Sequence, residues 1–303
     1  LDDIGRVHWL LGELDVALGF HEQGLDLRRE LDNARSVALS LSRIGAIHVS
    51  RGDFPEALVA LRESLKLRRE VGDRRGEAES LNTLAVIFQL RDNHMEARAL
   101  HGEALEAARS TGARELEAKV LNNMGEARVT VGDLDEAEEL LDGALEITRE
   151  TGARGIQVDV LRNLGRLAMC RGDSDLAQER CERALAMARD AGLKILEGLV
   201  WAALGEIHSQ TLFDAGRAQD AGGPAAGSLG PEAEEAFSKA LTLLRELGNE
   251  TDLAKVLRTL GNVLVERGDP AGGRVHLEEA AALFKKLKFQ SALEKTERLI
   301  ASL

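Results

Sequence analysis

Little in this chain could build a sheet, a stacking surface or a cross-link. Among 303 residues there are two cysteines, four prolines, no tyrosine and 3% aromatics. The two thiols, Cys170 and Cys181, form no CxxC and share no His/Cys grouping of ligand spacing. Neither a disulfide framework nor a zinc or other metal site is therefore expected, and the expected compartment is a reducing cytoplasm. With so few aromatics there are no platforms for stacked bases. Positive charge is also short: Lys plus Arg is 39 against 52 for Asp plus Glu, a formal charge of −13. That is the wrong sign for a phosphate backbone or an anionic bilayer, so neither nucleic acid nor membrane is an expected partner. No apolar run approaches the ~18 residues of a membrane span, and no basic segment leads into an apolar stretch at the start. The chain opens at Leu1 inside a helical pattern, so sequence upstream of it is expected. What remains is an Ala/Leu/Arg/Glu-rich chain with 44% hydrophobic and 30% charged residues, the composition of long helices. The expected class is all-α.

Self-similarity organises the rest. Gly5, Gly45, Ala85, Gly125, Gly165 and Gly205 stand at a constant spacing, preceded by Ile4, Ile44, Leu84, Met124, Leu164 and Leu204. The next member, Leu260-Gly261, arrives late, and the stretch 213–231 with Gly222-Gly223-Pro224 reads as an inserted loop. Seven residues past each anchor comes a turn signal: Gly12-Glu13, Gly52-Asp53, Asp92-Asn93, Gly132-Asp133, Gly172-Asp173 and Gly268-Asp269. Asp53 with Glu56, Asn93 with Glu96 and Asp133 with Glu136 have capping-box spacing. Gly72, Gly112, Gly152, Gly192 and Gly248 mark where a second helix must end in a left-handed turn. Each unit is thus a helical hairpin, and small residues such as Ala57, Ala97, Ala137 and Ala177 let its helices approach closely. The expected pairs lie near 1–30, 34–70, 74–110, 114–150, 154–190, 194–247 (with the insertion) and 250–287, and a terminal helix near 289–302 closes the array.

Trp201-x2-Leu204-Gly205-x2-His208 with Ala233-x3-Phe237 resembles the tetratricopeptide pattern. Leu41-x2-Ile44-Gly45 with Ala57-x3-Leu61 and Leu161-x2-Leu164-Gly165 with Ala177-x3-Cys181 are softer copies, so the resemblance covers essentially the whole chain. The long period is similar to Pins-like and kinesin-light-chain repeats and to arrays attached to bacterial regulators. Arg outnumbers Lys 30 to 9, which also suggests a bacterium. The resemblance implies an α-solenoid, a right-handed superhelix of about seven hairpins plus a capping helix, running as one array over 1–303. It also implies a protein- or peptide-binding scaffold, the sensor or recruitment region of a larger regulatory protein.

In such arrays the first helices line a concave groove that holds an extended peptide, and here the polar positions on them are Asn82, Asn122, Asn123, Glu126, Arg162, Asn163 and Arg166. A carboxamide offers donors and an acceptor that match a peptide backbone. Arg162 and Arg166, one turn apart, could fork onto a carboxylate. His8, His48 and His208 sit where the family carries an aromatic and are expected to pack, as is Cys181. The alternatives are a small-molecule sensor, for which Trp9, Phe88 and Trp201 are the candidate platforms, and a self-assembly module; the oligomeric state stays open. No nucleophile elbow, phosphate loop or His-Glu-x-x-His motif is present, so neither an enzyme nor a cofactor is expected.

Overall fold

The computed structural model describes residues 1–10, 13–218, 228–287 and 289–303. Gly12 and Gly222-Gly223-Pro224, two of the features read from the sequence, lie outside the described residues. The described residues form fifteen helices and no strand: α1 Asp2–Leu10, α2 Leu14–Glu30, α3 Ala34–Arg51, α4 Phe54–Glu70, α5 Arg74–Leu90, α6 His94–Ser110, α7 Arg114–Val131, α8 Leu134–Thr151, α9 Arg154–Cys170, α10 Ser174–Asp190, α11 Lys194–Ala218, α12 Pro231–Glu246, α13 Glu250–Glu266, α14 Pro270–Lys286 and α15 Gln290–Ala301. They make two compact units, Leu1–Ala127 and Arg128–Leu303. Within each unit hairpin follows hairpin in register, the layering of an all-α solenoid.

The turns form where the sequence places glycine. Gly52, Gly132, Gly172 and Gly268 leave first helices with φ of 76°, 84°, 81° and 90°, a region closed to most side chains. Asp92 takes the same role at φ 59°, where a short polar side chain is tolerated. The capping boxes form only in part. Asn93 accepts from the Glu96 N–H at 3.3 Å, but the side chains of Asp53 and Asp133 cap nothing. Arg51 holds the Asp53 carboxylate at 3.0 Å, and Glu136 pairs with Arg128 at 3.2 Å. A charge-assisted partner has outcompeted a neutral backbone N–H.

The anchor glycines exist because a side chain from the paired second helix sits on them. A Cβ added to Gly45 would come 2.6 Å from Leu61 Cγ, to Gly205 2.7 Å from Phe237, and to Gly261 2.7 Å from Leu277. Gly165 faces Cys181 at 2.5 Å, and the thiol, fully buried, has its pKa pushed up to about 12 by burial. It packs as a hydrophobe. Gly5 faces His21 in the same way at 2.9 Å. In the third hairpin the anchor is Ala85 and the buried residue at the matching slot is His101, a flat ring that tolerates a neighbouring methyl. The small stripe behind these contacts is buried throughout, including Ala17, Ala57, Ala104, Ala137, Ala144, Ala177, Ala184, Ala233, Ala240 and Ala280.

Helix α11 runs on to Ala218, into the stretch read as loop from residue 213. Arg267, the residue that ends α13, packs where the overrun begins. It donates to Ser209 Oγ at 3.1 Å and to Gln210 Oε1 at 2.8 Å, and its guanidinium lies 4.2 Å over the Phe213 ring. The last of these contacts falls on the first residue of the stretch read as loop.

Candidate functional site

The anchor glycine fixes which face of each first helix meets its own hairpin, and so which residues remain on the outer face. In the first unit α3 packs against α5, and α5 reaches α7 through a side-chain bond: Asn123 Nδ2 donates to Asn82 Oδ1 at 3.1 Å. Asn82 and Asn122 are only 3% and 6% exposed. They lie at the base of the face, while Asn123 and Glu126 are half-buried and reach its surface. The carbonyl of Asn82 therefore already has a donor within the protein, which the spacing by itself did not show.

In the second unit α9 packs on α11 and α11 on α13. Asn163 is 1% exposed, whereas Arg162 and Arg166 are half-buried on the outer side of α9. Arg162 donates to Asp159 at 3.2 Å. In the register of Arg166, one residue past the anchor, α11 carries Glu206 and α13 carries Asn262, which donates to Glu266 at 2.9 Å. Burial holds the Glu206 carboxyl above the ordinary range, against the opposing pull of Arg166 and Arg162, with Glu266 adding to the rise. Among the described residues no hydrogen bond reaches that carboxyl. On α13 burial also works against the Asp252 carboxylate, but Lys255 at 3.0 Å and Asn249 outweigh it and hold its pKa below the usual value. The face thus sets a cationic α9 beside a carboxyl that lacks a donor. Sequence reasoning passed over Glu206, although its register beside Arg166 was the available signal.

Two of the three aromatic candidates have partners within the protein. Trp201 is sandwiched between Arg189 on α10 and Lys239 on α12, 5.0 and 4.2 Å from its ring. Trp9 donates to Ser50 at 3.4 Å. His8 stacks on Phe20 at 5.4 Å, in keeping with a packing role.

A second recurring constellation lies at the joints between hairpins. Glu77 is buried between Arg69 and Arg74, each 2.7 Å from one of its oxygens; Glu117 sits between Arg109 and Arg114, each at 2.8 Å; Glu197 sits between Arg189 and Lys194 at 2.9 and 2.8 Å. Burial works against all three carboxylates, yet the two cations outweigh it and hold each pKa below the usual value. The signal was in the sequence as basic and acidic residues recurring at the repeat spacing, but charge at helix ends reads as solvated surface until the fold buries the acid.

Family models described as tetratricopeptide repeat match residues 36–110, 116–190 and 254–279. The chain belongs to the tetratricopeptide repeat family. The matched spans coincide with α3–α6, α7–α10 and most of α13–α14, so the anchors, the turns and the outer-face register are those of tetratricopeptide hairpins. Among solved structures the chain is similar to a Rap protein in complex with competence and sporulation factor, at 15% identity and TM-score 0.74, covering 94% of this chain and 74% of that one. It is equally similar to the Rap conjugation gene regulator of the plasmid pLS20 in complex with the Phr* peptide, at 14% identity, TM-score 0.74 and coverage of 95% and 74%. Aspartyl phosphate phosphatase F from Bacillus subtilis matches at 12% identity and TM-score 0.57, covering 90% and 73%. At these identities the likeness is one of fold. Comparison with curated proteins gives no sequence match. No helix among the described residues is long and apolar enough to cross a membrane.

Proposed function

We propose that this tetratricopeptide array is a non-catalytic, cytoplasmic scaffold that holds an extended peptide of a protein partner along the outer face of its first helices. It serves as the sensor or recruitment part of a regulatory protein. The observation that carries this is Glu206: a half-buried carboxyl with no donor among the described residues, beside Arg162 and Arg166. The carboxyl is half-buried and burial raises its pKa, so a ligand N–H or ammonium would meet there an acceptor to which the described residues offer no hydrogen bond. Arg166 and Arg162 supply the complementary charge for a ligand carboxylate. In the first unit Asn123 and Glu126 are the side chains a peptide would meet, with Asn82 and Asn122 fixing them from below, as Asn163 does in the second unit. One of the two Rap structures is a complex with the Phr* peptide, and the shared fold supports this reading.

Selection from a random peptide library tests it. Wild-type protein is expected to enrich a family of related peptides, and a variant with Asn123, Arg162, Arg166 and Glu206 all changed to Ala to enrich none of them. Identical enrichment by both proteins would move the binding surface off the first helices; no enrichment by either would remove the peptide reading.

A further inference from the structure

Three joints between hairpins hold a buried carboxylate between two cations, and a fourth has the cations without the carboxylate. At the joint of α8 with α9 the equivalent residues are Arg149, Arg154 and Gln157, spaced as Arg69, Arg74 and Glu77 are. The chain turns in the same sense there, although α8 runs one residue further, to Thr151, and the Gly152 N–H closes on Thr148 O at 3.0 Å. Gly152 turns with φ 70°, against 66°, 65° and 67° at Gly72, Gly112 and Gly192. The Arg154 N–H donates to Gly152 O at 2.8 Å, as Arg74, Arg114 and Lys194 donate to their glycines at 3.0, 2.9 and 3.0 Å.

The side chains differ. Arg154 has turned to Asp190 of the neighbouring helix at 2.8 Å, in an exposed pair. Neither the Arg149 guanidinium nor the Gln157 carboxamide makes a hydrogen bond or ion pair among the described residues. Ala153, at the helix start, offers no side-chain cap either, so the positive end of α9 faces the same place. We propose that this joint is a docking site for an acidic side chain of a partner protein, whose carboxylate takes the position that Glu77, Glu117 and Glu197 occupy at their own joints.

The internal copies supply the expected geometry: one oxygen on the Nε–H of the first arginine and one on the second cation, each at 2.7–2.9 Å. Gln157 adds an N–H donor that a glutamate at that position lacks. That planar, two-pronged arrangement suits a carboxylate better than a tetrahedral anion. The site lies at the start of α9 and does not depend on the peptide-binding reading of Arg162 and Arg166 farther along it. No bond is made or broken in the chain.

The test uses blocked glutamate, N-acetylglutamic acid amide, titrated into the isotopically labelled chain. Its neutral analogue N-acetylglutamine amide and inorganic phosphate serve as comparison probes. The expected result is a saturable shift of the Arg149 Nε–H and Gln157 carboxamide signals, at least about tenfold tighter for the acid than for its neutral analogue. In Gln157→Glu, which supplies the missing carboxylate internally, that shift should disappear and the melting temperature should rise. A wild-type chain without a saturable shift, a Gln157→Glu variant that binds undiminished, or phosphate binding as tightly as the carboxylate would each overturn the proposal.

Discussion

The two units bury different chemistry at equivalent positions. In Leu1–Ala127 the interior holds His21, Ser40, Ser64, Arg68, Ser80, Asn82 and His101 alongside its leucines and alanines. Ser64 donates to Ala38 O at 2.7 Å and lies 3.2 Å from the Ser80 hydroxyl, while Arg68 donates to Gly76 O and meets Glu79 at 3.2 Å. In Arg128–Leu303 the slots over the anchor glycines carry Cys181, Phe237 and Leu277, and the buried polar groups among the described residues are Thr148, Asn163, Glu197, Ser209 and Thr296. One unit is pinned by directional bonds, the other filled by volume. A directional bond specifies register but returns little net free energy, about 0.5–1.5 kcal/mol. A buried large apolar side chain returns more, roughly 1.5–3 kcal/mol, and tolerates small slips.

The comparison can be broken most directly at Phe237. Phe237→Ala removes the ring that fills the space over Gly205, and urea titration should show a loss of about 3–5 kcal/mol. Arg68→Met in the first unit should cost less, about 1–3 kcal/mol, because the stem's packing is retained and the main loss is the bond to Gly76 O; an equal or larger loss would erase the distinction drawn here. Next in size is the slot where both anchor and filler differ from their neighbours. His101→Leu sets a branched side chain against Ala85, where Leu61 has a glycine, and should destabilise by about 1–3 kcal/mol. Adding Ala85→Gly should recover most of that loss, and additive losses in the double variant would show that the two positions do not meet.

Acidification should separate α1–α3 from α11 with the smallest effect, while half-buried His276 on α14, its pKa also lowered by burial, should lose protection as His21 does. Burial holds the His21 pKa below its ordinary 6.5, against the pull of Asp2, with Arg28 and Arg43 adding to the depression. The folded ring stays neutral where the unfolded one takes a proton, so this stabilisation is lost as pH falls below about 6.5. Glu77 and Glu117, held low by their paired cations, contribute stability that is present above 4.5 and lost as pH falls through their folded values. Glu206 runs the other way, since its raised pKa means that acid relieves a strain in the second unit. Hydrogen exchange compared at about pH 7.5 and about pH 5 should show lost protection around α1–α3 and none around α11. Equal loss in both would count against the assignment of His21.

Much of this was legible in advance because the repeat is written in residues with stereochemical meaning. Glycine is needed where φ is positive at Gly52, Gly132 and Gly172, and where Leu61, Cys181 or Phe237 leaves no room for a Cβ. Both needs recur with the repeat, so helix order, turn positions and family could be read by eye. The site was legible only as a face. Its residue types stood at the right register, Glu206 among them, but only burial separated the nearly inaccessible Asn82, Asn122 and Asn163 from the half-buried Glu206. The capping boxes failed for a related reason: Arg51 and Arg128 competed for the same carboxylates from within reach that only the folded turn provides.

What the sequence determined on its own is periodic: all-helical hairpins, their boundaries to within a residue or two everywhere but the end of α11, and the register of each first helix. The tertiary structure alone decided which polar groups are spent inside the protein and which reach its surface. That depends on distances between residues about 40 apart, as between Asn82 and Asn123, and on the dielectric around each charge, neither of which local propensity encodes. The overrun of α11 to Ala218 makes the same point: Arg267, far along the chain, meets Ser209, Gln210 and Phe213 where the added helix begins.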